Sequence, residues 1–332
     1  MWRPPGHVSG AAKGAAHLTD AEILAALPGK SALVLGDICL DRWCTYDPAE
    51  AEPSRETGLP RIGVVRTEVT PGAGGTVANN AKALGFGRVA VLGAVGTDGF
   101  GYELRQALER GGIEQALVES AEISTFTYTK LISLRSGVED LPRVDFIRNE
   151  PMPGAVEMAV LATLDRLAGE FDAIFVSDQA ETADGGVVTA RVRERLAALA
   201  LERPELIIWV DSRRRAAEFR NVMVKVNRDE AELFGCAASV FRNEASLRLV
   251  CVTYGADGAL IVSASGEEFI SATPILEPVD ICGAGDSFSA GAVAALVTGG
   301  SARDAARLGN RVASITVMKR GTGTALAAEV LG

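Results

Sequence analysis

The sequence predicts an α/β protein: a doubly wound sheet flanked by helices, with a small β-sheet projecting from it. Three observations carry this expectation. Short apolar runs ending in Gly or Asp alternate with longer helical patterns through most of the chain. Three other runs, "RIGVVRTEV" (61–69), "TFTYTKLISL" (125–134) and "PRVDFIRN" (142–149), are rich in β-branched residues and partly alternate, as strands with one wet face do. Apolar residues make up 48% of 332 positions, enough for a sizeable core.

The elements follow in order. The first 17 residues are rich in Gly, Ala and Pro and are expected to form a disordered tail, which carries both histidines, His7 and His17. "TDAEILAAL" (19–27) reads as a short helix, because Thr19 and Glu22 have capping-box spacing and Pro28-Gly29 stops it. "SALVLGD" (31–37) is a continuous apolar run of the kind that forms a buried parallel strand. "RVAVLGAVG" precedes the helical "GYELRQALERGG", and "FDAIFVSD" precedes "GGVVTARVRERLAALALE". "ELIIWVD", "NVMVKVN" and "RLVCVTYG" are further short strands, and "GDSFSAGAVAALVTGG" and "SARDAARLGNRVASITVMK" close the chain as helices. No linker divides it. Residues 18–332 are expected to form a single domain, with the projecting strands drawn from about 38–69 and 125–149.

Composition excludes several classes. Net charge is −10, from 33 basic and 43 acidic residues, and the densest basic spot is "RRR" at 213–215, which reads as a solvated loop. A nucleic-acid partner is therefore not expected. The five cysteines are odd in number and lack C-x-x-C spacing, which disfavours a disulfide framework and a zinc site and fits a reducing cytoplasm. "MWRPPGHVSGAAKGAAH" has no apolar core of a secretory signal, and no apolar run approaches the ~18 residues of a membrane span.

Glycine-rich loops are the candidates for chemistry. "LPGKSAL" contains Gly-Lys-Ser, but the first glycine of a Walker loop would fall at Leu24, and the motif precedes its strand instead of following it. "GDICLD" (36–41) lacks the later glycines of a dinucleotide fingerprint. "GAGGTV" (72–77) is close to one but ends in Val, and most such loops are plain turns. "DICGAGDSFSAG" (280–291) is more informative. A Gly-Ala-Gly turn that opens a helix leaves backbone N–H groups pointing outward, and with the helix dipole these make an anion site. A carboxylate beside that anion repels it, so binding alone does not select Asp286. The residue makes sense as a general base aimed at a hydroxyl that attacks phosphorus. The competing reading is that Asp286 only helps to start the helix.

The same stretch resembles the C-terminal signature of the ribokinase-like (phosphofructokinase-B) carbohydrate kinases, and other segments resemble that family in the same order from about residue 31 to 325. "KVNRDEAELF" (225–234) is similar to its Asn-x-x-Glu segment, with Asn227 and Glu230. "VTYGADGA" (252–259) resembles its nucleotide-side strand and turn, with Thr253, Gly255, Asp257 and Gly258. "GNRVASITVMKRGTG" resembles its closing helix beside adenine, with Asn310. "GDICLD" resembles the end of its sugar-contacting first strand, with Asp37 and with Asp41 at the substrate acid. "PGAGGTVANNAKALG" resembles its other signature, with Gly72, Gly74, Gly75 and Asn80. Within the family, "VLGDICLDRW", "YTKLISL", "RVDF" and "FVSD" are most similar to the bacterial heptose phosphate kinases. The chain departs from the pattern at Cys282, where Thr is usual, at Pro71, at Thr76 in place of Asn, at Gln179 in place of Tyr and at Ser212 in place of Pro.

The resemblance implies the ribokinase-like fold and an ATP-dependent sugar kinase. Asp286 would be the base, and the N–H groups of Gly283, Ala284 and Gly285 would hold the transferring phosphoryl. Asn227 and Glu230 would organise Mg²⁺ partly through water, and a monovalent cation such as K⁺ would lie near Asp280. Spacing alone reads Asn227 and Glu230 equally well as a helix N-cap and its capping-box acid. It reads Asp37 and Asp41 equally well as strand-end turn residues. Lys130, Arg143 and Arg148 are cations on the projecting strands, beside the expected acceptor pocket. They suggest a sugar that already carries a phosphate, plausibly a heptose phosphate, although strand cations ordinarily face solvent. A projecting sheet with an apolar face also implies a homodimer through that lid. Rival readings are a ribose- or nucleoside-type kinase of the same fold, a catalytically silent sugar- or nucleotide-binding regulator, and a nicotinamide-dependent oxidoreductase, which lacks its fingerprint.

Overall fold

The computed structural model describes residues 17–50, 52–182 and 184–332, so residues 1–16 of the expected tail, with His7, lie outside the described residues, while His17 lies 3.5 Å from Asp304. Helix α1 (Asp20–Ala26) starts at Thr19, whose side chain and that of Glu22 form the reciprocal capping box. Strand β1 (Ser31–Gly36) follows, then β2 (Ile38–Tyr46), β3 (Val64–Ala73) and α2 (Gly74–Leu84). Next come β4 (Arg88–Leu92), β5 (Ala94–Gly96), α3 (Gly99–Arg110), β6 (Glu114–Gln115), β7 (Val118–Ser120), β8 (Thr127–Ser133) and β9 (Val144–Phe146). The second half runs α4 (Gly154–Leu167), β10 (Ala173–Asp178), α5 (Ala190–Glu202), β11 (Ile207–Ser212), β12 (Met223–Asn227), α6 (Arg228–Glu232), α7 (Ala238–Glu244) and β13 (Leu249–Thr253). It ends with β14 (Gly258–Ser263), β15 (Gly266–Ser271), α8 (Ala284–Val297), α9 (Ala302–Thr316) and α10 (Ala327–Leu331).

The main sheet has nine strands in the order β15-β14-β13-β12-β11-β10-β1-β4-β6. β14 pairs antiparallel with both β13 and β15 at one edge, and the other pairings are parallel. Both faces are covered, and β1 shows why its run is apolar throughout. Ala32 and Val34 enter one core with residues of α2, α8 and α9, while Leu33 and Leu35 enter a second core with α4 and α5.

A separate four-stranded sheet, in the order β3-β2-β8-β9, contains all three runs read as half-wet. β8 alternates buried and half-buried along its length, as its sequence pattern predicts. β3 is an edge strand, where Pro71 removes no ladder donor the sheet needs. "GAGGTV" is not a plain turn: it ends β3 and opens α2. "LPGKS" lies at the amino-terminal end of β1, away from the edge where ligands bind.

The chain order changes direction between β1 and β10, with β4 on one side of β1 and β10 on the other. In open α/β sheets ligands bind outside the carboxyl ends of the strands at such a switch. Here those ends carry Asp37, Asp178, Asp211, Asn227 and Thr253.

Candidate active site

Gly283 is the N-cap of α8 at φ 77° and ψ 5°, a left-handed conformation that a Cβ makes costly. Among the described residues the N–H groups of Gly283 and Gly285 find no acceptor, whereas that of Ala284 is tied back to Ile281 O at 3.2 Å. The three expected donors are therefore unequal, and two are open. Asp280 braces the turn: its carboxylate accepts from Cys282 N–H at 2.9 Å and from Gly321 N–H at 3.0 Å. Both of its oxygens are thereby engaged in tying two loops together.

Beneath the turn lies a cation that sequence reasoning missed. Lys225 is 5% exposed and donates to Asp211. A Cβ added to Gly285 would sit 2.8 Å from Lys225 Nζ, so the ammonium lies against the anion turn. Burial pushes the Lys225 pKa down, but Asp211, Asp286 and Glu230 together hold the net shift upward and keep the ammonium charged. Burial, then the charge of Asp211, pushes Asp286 up to about 7, against the opposing pull of Lys225 and Arg213. A carboxyl near pH 7 in a cleft is tuned for proton transfer.

Asp41 stands on β2, with its carboxyl pushed up to about 6 by burial and held back by Lys130, a thiol hydrogen bond from Cys39, Arg143 and Arg213. A side chain at Gly72 would overlap this carboxylate, so the glycine makes room for it. Cβ atoms at Gly74 and Gly75 would meet Ile38 and Pro71, which fixes how α2 leaves β3. Between Gly72 and Gly74, Ala73 adopts φ 50° and ψ −118°, a strained conformation for a residue with a Cβ. Asn80 is buried and donates to Thr76 O at 3.0 Å, and so supports the helix from within. Lys130 Nζ is 3.9 Å from Cys282 Sγ and 5.9 Å from the Trp43 ring centroid, which brings the small sheet to the α8 turn.

Other expected site residues are engaged elsewhere. Asp37 is 3% exposed, and its carboxylate accepts from the N–H groups of Gln179, Ala180 and Val187 at 2.8–2.9 Å. It ties the loop after β10 to the end of β1, with Oδ2 accepting twice and Oδ1 once. Arg143 forms a fork with Asp145, both bonds at 2.7 Å, and stacks over Tyr128. Arg148 donates to the carbonyls of Glu122, Glu150 and Pro151, so it braces loops and is not a spare cation. Asn227 and Glu230 make the reciprocal capping box that opens α6, at 2.7 and 2.8 Å. Glu230 is half-buried, with its pKa raised by burial first and by Asp211. Thr253 donates to Val226 O at 3.3 Å. Gly255–Asp257 form a single 3₁₀ turn into β14, and Gly258 takes φ 128° because a Cβ there would strike Ile270 O. Asn310 is buried and donates to Ile270 O at 3.0 Å, packing α9 against β15.

In the "RRR" run Arg213 and Arg214 are exposed, as a solvated loop would have them, and Arg215 alone turns inward. Arg215 is 7% exposed and pairs with the fully buried Asp178, whose other contact is Ser212 Oγ at 2.6 Å. Arg213 bonds Gln179 and Glu181, each at 2.8 Å.

Residues 35–151 and 216–329 match the family described as pfkB family carbohydrate kinase. The chain belongs to that family. It is 32% identical over 329 residues to the bifunctional protein HldE of Caulobacter sp. (strain K31), covering 95% of this chain and 64% of that one. It is 30% identical over 316 residues to the bifunctional protein HldE of Pelobacter propionicus, covering 90% of this chain and 62% of that one. The chain thus spans less than two thirds of the length of these curated relatives. Among solved structures, phosphofructokinase-2 from Escherichia coli in complex with potassium matches with a TM-score of 0.70 at 18% identity, covering 91% of this chain and 97% of that one. Ribokinase from Thermotoga maritima matches with a TM-score of 0.65 at 18% identity, covering 91% and 98%. At these identities the structures establish the shared ribokinase-like fold, and it is the family match that makes the chain a pfkB family carbohydrate kinase.

The departures of this carbohydrate kinase from the family pattern have local explanations. Thr76 is buried with its methyl 3.3 Å from where a Gly283 Cβ would lie, so α2 packs on the anion turn. Ser212 caps the Asp178–Arg215 pair through its hydroxyl, which a Pro could not do. Gln179 accepts from Arg213. Lys225 and Asp211 were detectable as lone charges within or ending the apolar runs "NVMVKVN" and "ELIIWVD". Among the described residues no group of His, Cys, Asp and Glu could by itself hold a metal, and no helix is long and apolar enough to cross a membrane. The described cysteines are all free thiols.

Proposed function

We propose that this kinase transfers the γ-phosphoryl group of ATP to a hydroxyl of a phosphorylated sugar, a heptose phosphate or a close relative. The observation that carries the reading is Asp286 in the first turn of α8, behind a left-handed glycine cap and above the buried Lys225. Asp286 takes the acceptor's proton as its oxygen attacks the γ-phosphorus, and the bond to the β-phosphate oxygen breaks to leave ADP. The open N–H groups of Gly283 and Gly285, with Lys225 beneath, stabilise the charge that develops on the moving phosphoryl. Asp41 and Lys130 position the acceptor.

Magnesium fits this site as an ion held chiefly by nucleotide phosphates and water, because Asn227 and Glu230 already bond each other's backbone and leave only the remaining Glu230 oxygen free. When bound it would neutralise phosphate charge. A monovalent cation beside Asp280 would stiffen the turn that this acid already braces.

The likeness to the HldE proteins and the cations around Asp41 support a phosphorylated acceptor. The test is kcat/KM for a panel of sugars and sugar phosphates in an ATP-consumption assay, with Lys130→Ala alongside. The wild type should prefer the phosphorylated acceptor by ~10-fold or more, and Lys130→Ala should lose part of that preference, since a charged hydrogen bond is worth about 1.5–3 kcal/mol. Equal use of a sugar and its phosphate would overturn the acceptor assignment.

The pH profile follows from Asp286. The base must be ionised, and burial has raised its affinity for a proton, so kcat/KM should fall as pH drops through about 7. Asp41, pushed up to about 6 by burial, titrates close by, so the limb reports both carboxyls. A flat profile from about pH 5.5 to about pH 8 would remove Asp286 from this role.

The small sheet acts as a lid and as the dimer contact. Val64, Val65, Leu134, Val138, Val144 and Phe146 on and beside it are 43–57% exposed, an apolar face that a second copy would cover. Light scattering should give a dimer, and Val144→Asp with Phe146→Asp should give a monomer. A wild-type monomer across the working concentration range contradicts the contact.

A further inference from the structure

Arg213 stands out among the charged groups because its surroundings hold it in place without saturating it. Its backbone N–H donates to Asp178 O at 3.1 Å, which pins the residue to the carboxyl end of β10. Ser212 before it is locked to the buried Asp178, and Asp211 before that is locked to Lys225 under the anion turn. The side chain then reaches out, with Nε on Gln179 Oε1 and Nη1 on Glu181 Oε1, each at 2.8 Å. Among the described residues Nη2 has no acceptor. The side chain is 47% exposed and its partner Glu181 60%, so this ion pair is open to water and easily exchanged. Its field is felt across the cleft: it favours the ionised forms of Asp41 on the acceptor side, Asp286 at the turn and Glu230 beyond. It also acts on Tyr128 of the small sheet, over which Arg143 stacks.

A guanidinium in this setting is a poor structural element, since it closes no buried gap. It is well suited to an incoming dianion, which could accept from Nη2 and Nη1 together in a fork that a lysine cannot reproduce. Two of the positions where this chain departs from its family, Gln179 and Ser212, belong to the apparatus that presents it. Strand cations had been the candidates for a phosphate grip. Arg148 is consumed by the carbonyls of its neighbours and Arg143 is forked onto both oxygens of Asp145, whereas Arg213 holds a more exposed acid through a single bond and keeps Nη2 open.

We propose that Arg213 is the specificity-determining residue for the acceptor: held by Gln179 and Glu181, its guanidinium takes the phosphomonoester of the sugar and docks it against Asp41 and Lys130. This rests on the phosphosugar reading above and names the residue that enforces it. Glu181 is the counterion that the phosphate displaces.

The test measures KM and kcat for a terminally phosphorylated heptose, for the same heptose without its phosphate, and for ATP, in the wild type, Arg213→Ala and Arg213→Lys. Arg213→Ala should raise KM for the phosphorylated heptose by about 10- to 100-fold, the worth of a charge-assisted hydrogen bond. KM for the free heptose and for ATP should stay within about twofold, because neither presents a dianion at that point. Arg213→Lys should recover part of the loss, since it keeps charge without the fork. Thermal unfolding should be unchanged, as the loop backbone is held independently of the side chain. Because Arg213 also favours the ionised form of Asp286, kcat can fall on both heptoses alike, and the reading rests on KM: an equal rise of KM on both heptoses would overturn the assignment, as would no rise at all. A wild type indifferent to the acceptor's phosphate removes the phosphosugar reading itself. A wild-type preference that survives in Arg213→Ala removes only the role given to Arg213.

Discussion

Asp286→Asn is expected to lower kcat by about 10²–10⁴-fold, the usual worth of a positioned general base. The amide keeps the shape of the carboxylate but cannot take the acceptor's proton. Nucleotide KM should barely move, because Asp286 makes no attractive contact with an anion bound at the N–H groups of Gly283 and Gly285. Folding should not suffer either. The carboxyl is held against burial and against the charge of Asp211, so neutralising it relieves a cost in the folded state. Initial rates at saturating ATP and acceptor, with a thermal unfolding curve on the same sample, separate these outcomes. Near-normal turnover in a folded Asp286→Asn protein would sink the assignment and leave the residue as a helix starter.

Lys225→Met is expected to do damage of two kinds. It deletes the partner of Asp211 inside the fold, and removing one member of a buried pair costs about 3–5 kcal/mol. Urea unfolding should show that loss. The second effect is on the chemistry. Lys225 favours the ionised form of Asp286, so without it the proton affinity of Asp286 rises further. The acid limb of the pH–rate profile should therefore move to higher pH, and kcat at neutral pH should fall. A second substitution separates the two effects. Lys225→Met with Asp211→Asn leaves no uncompensated buried charge, so stability should largely return, while turnover should stay low because the cation under Gly285 is still missing. Recovery of both together would show that Lys225 only supports the fold.

Much of the site was legible because it is local in sequence. The Gly-Ala-Gly-Asp turn, the Thr19–Glu22 box and the Asn227–Glu230 box each form within four consecutive residues, and short-range hydrogen bonding decides them. The same locality explains the ambiguity at Asn227 and Glu230: the capping geometry is realised whatever else the two residues do. Arg148 was misjudged because its partners, the carbonyls of Glu122, Glu150 and Pro151, come partly from a distant loop. In the "RRR" run only Arg215 departs from a solvated loop, for a similar reason. A buried acid 37 residues upstream claims Arg215, and sequence spacing cannot reveal it.

By itself the sequence determined the alternation of strand and helix, the separate half-wet strands and the anion turn with its acid. Periodicity and glycine placement act over a few residues, and burial on one or both faces of a strand is written in its pattern. The tertiary structure alone decided which charges meet. Parallel pairing of β11 with β12 sets Asp211 beside Lys225, and pairing of β10 with β11 sets Asp178 beside Ser212. The packing of α8 over these strand ends then puts Gly285 on the Lys225 ammonium. Proton affinity depends on desolvation and on charges a few ångströms away. Those distances exist only once strand register and helix packing are set, so Asp286 becomes a carboxyl poised near neutral pH only in the folded chain.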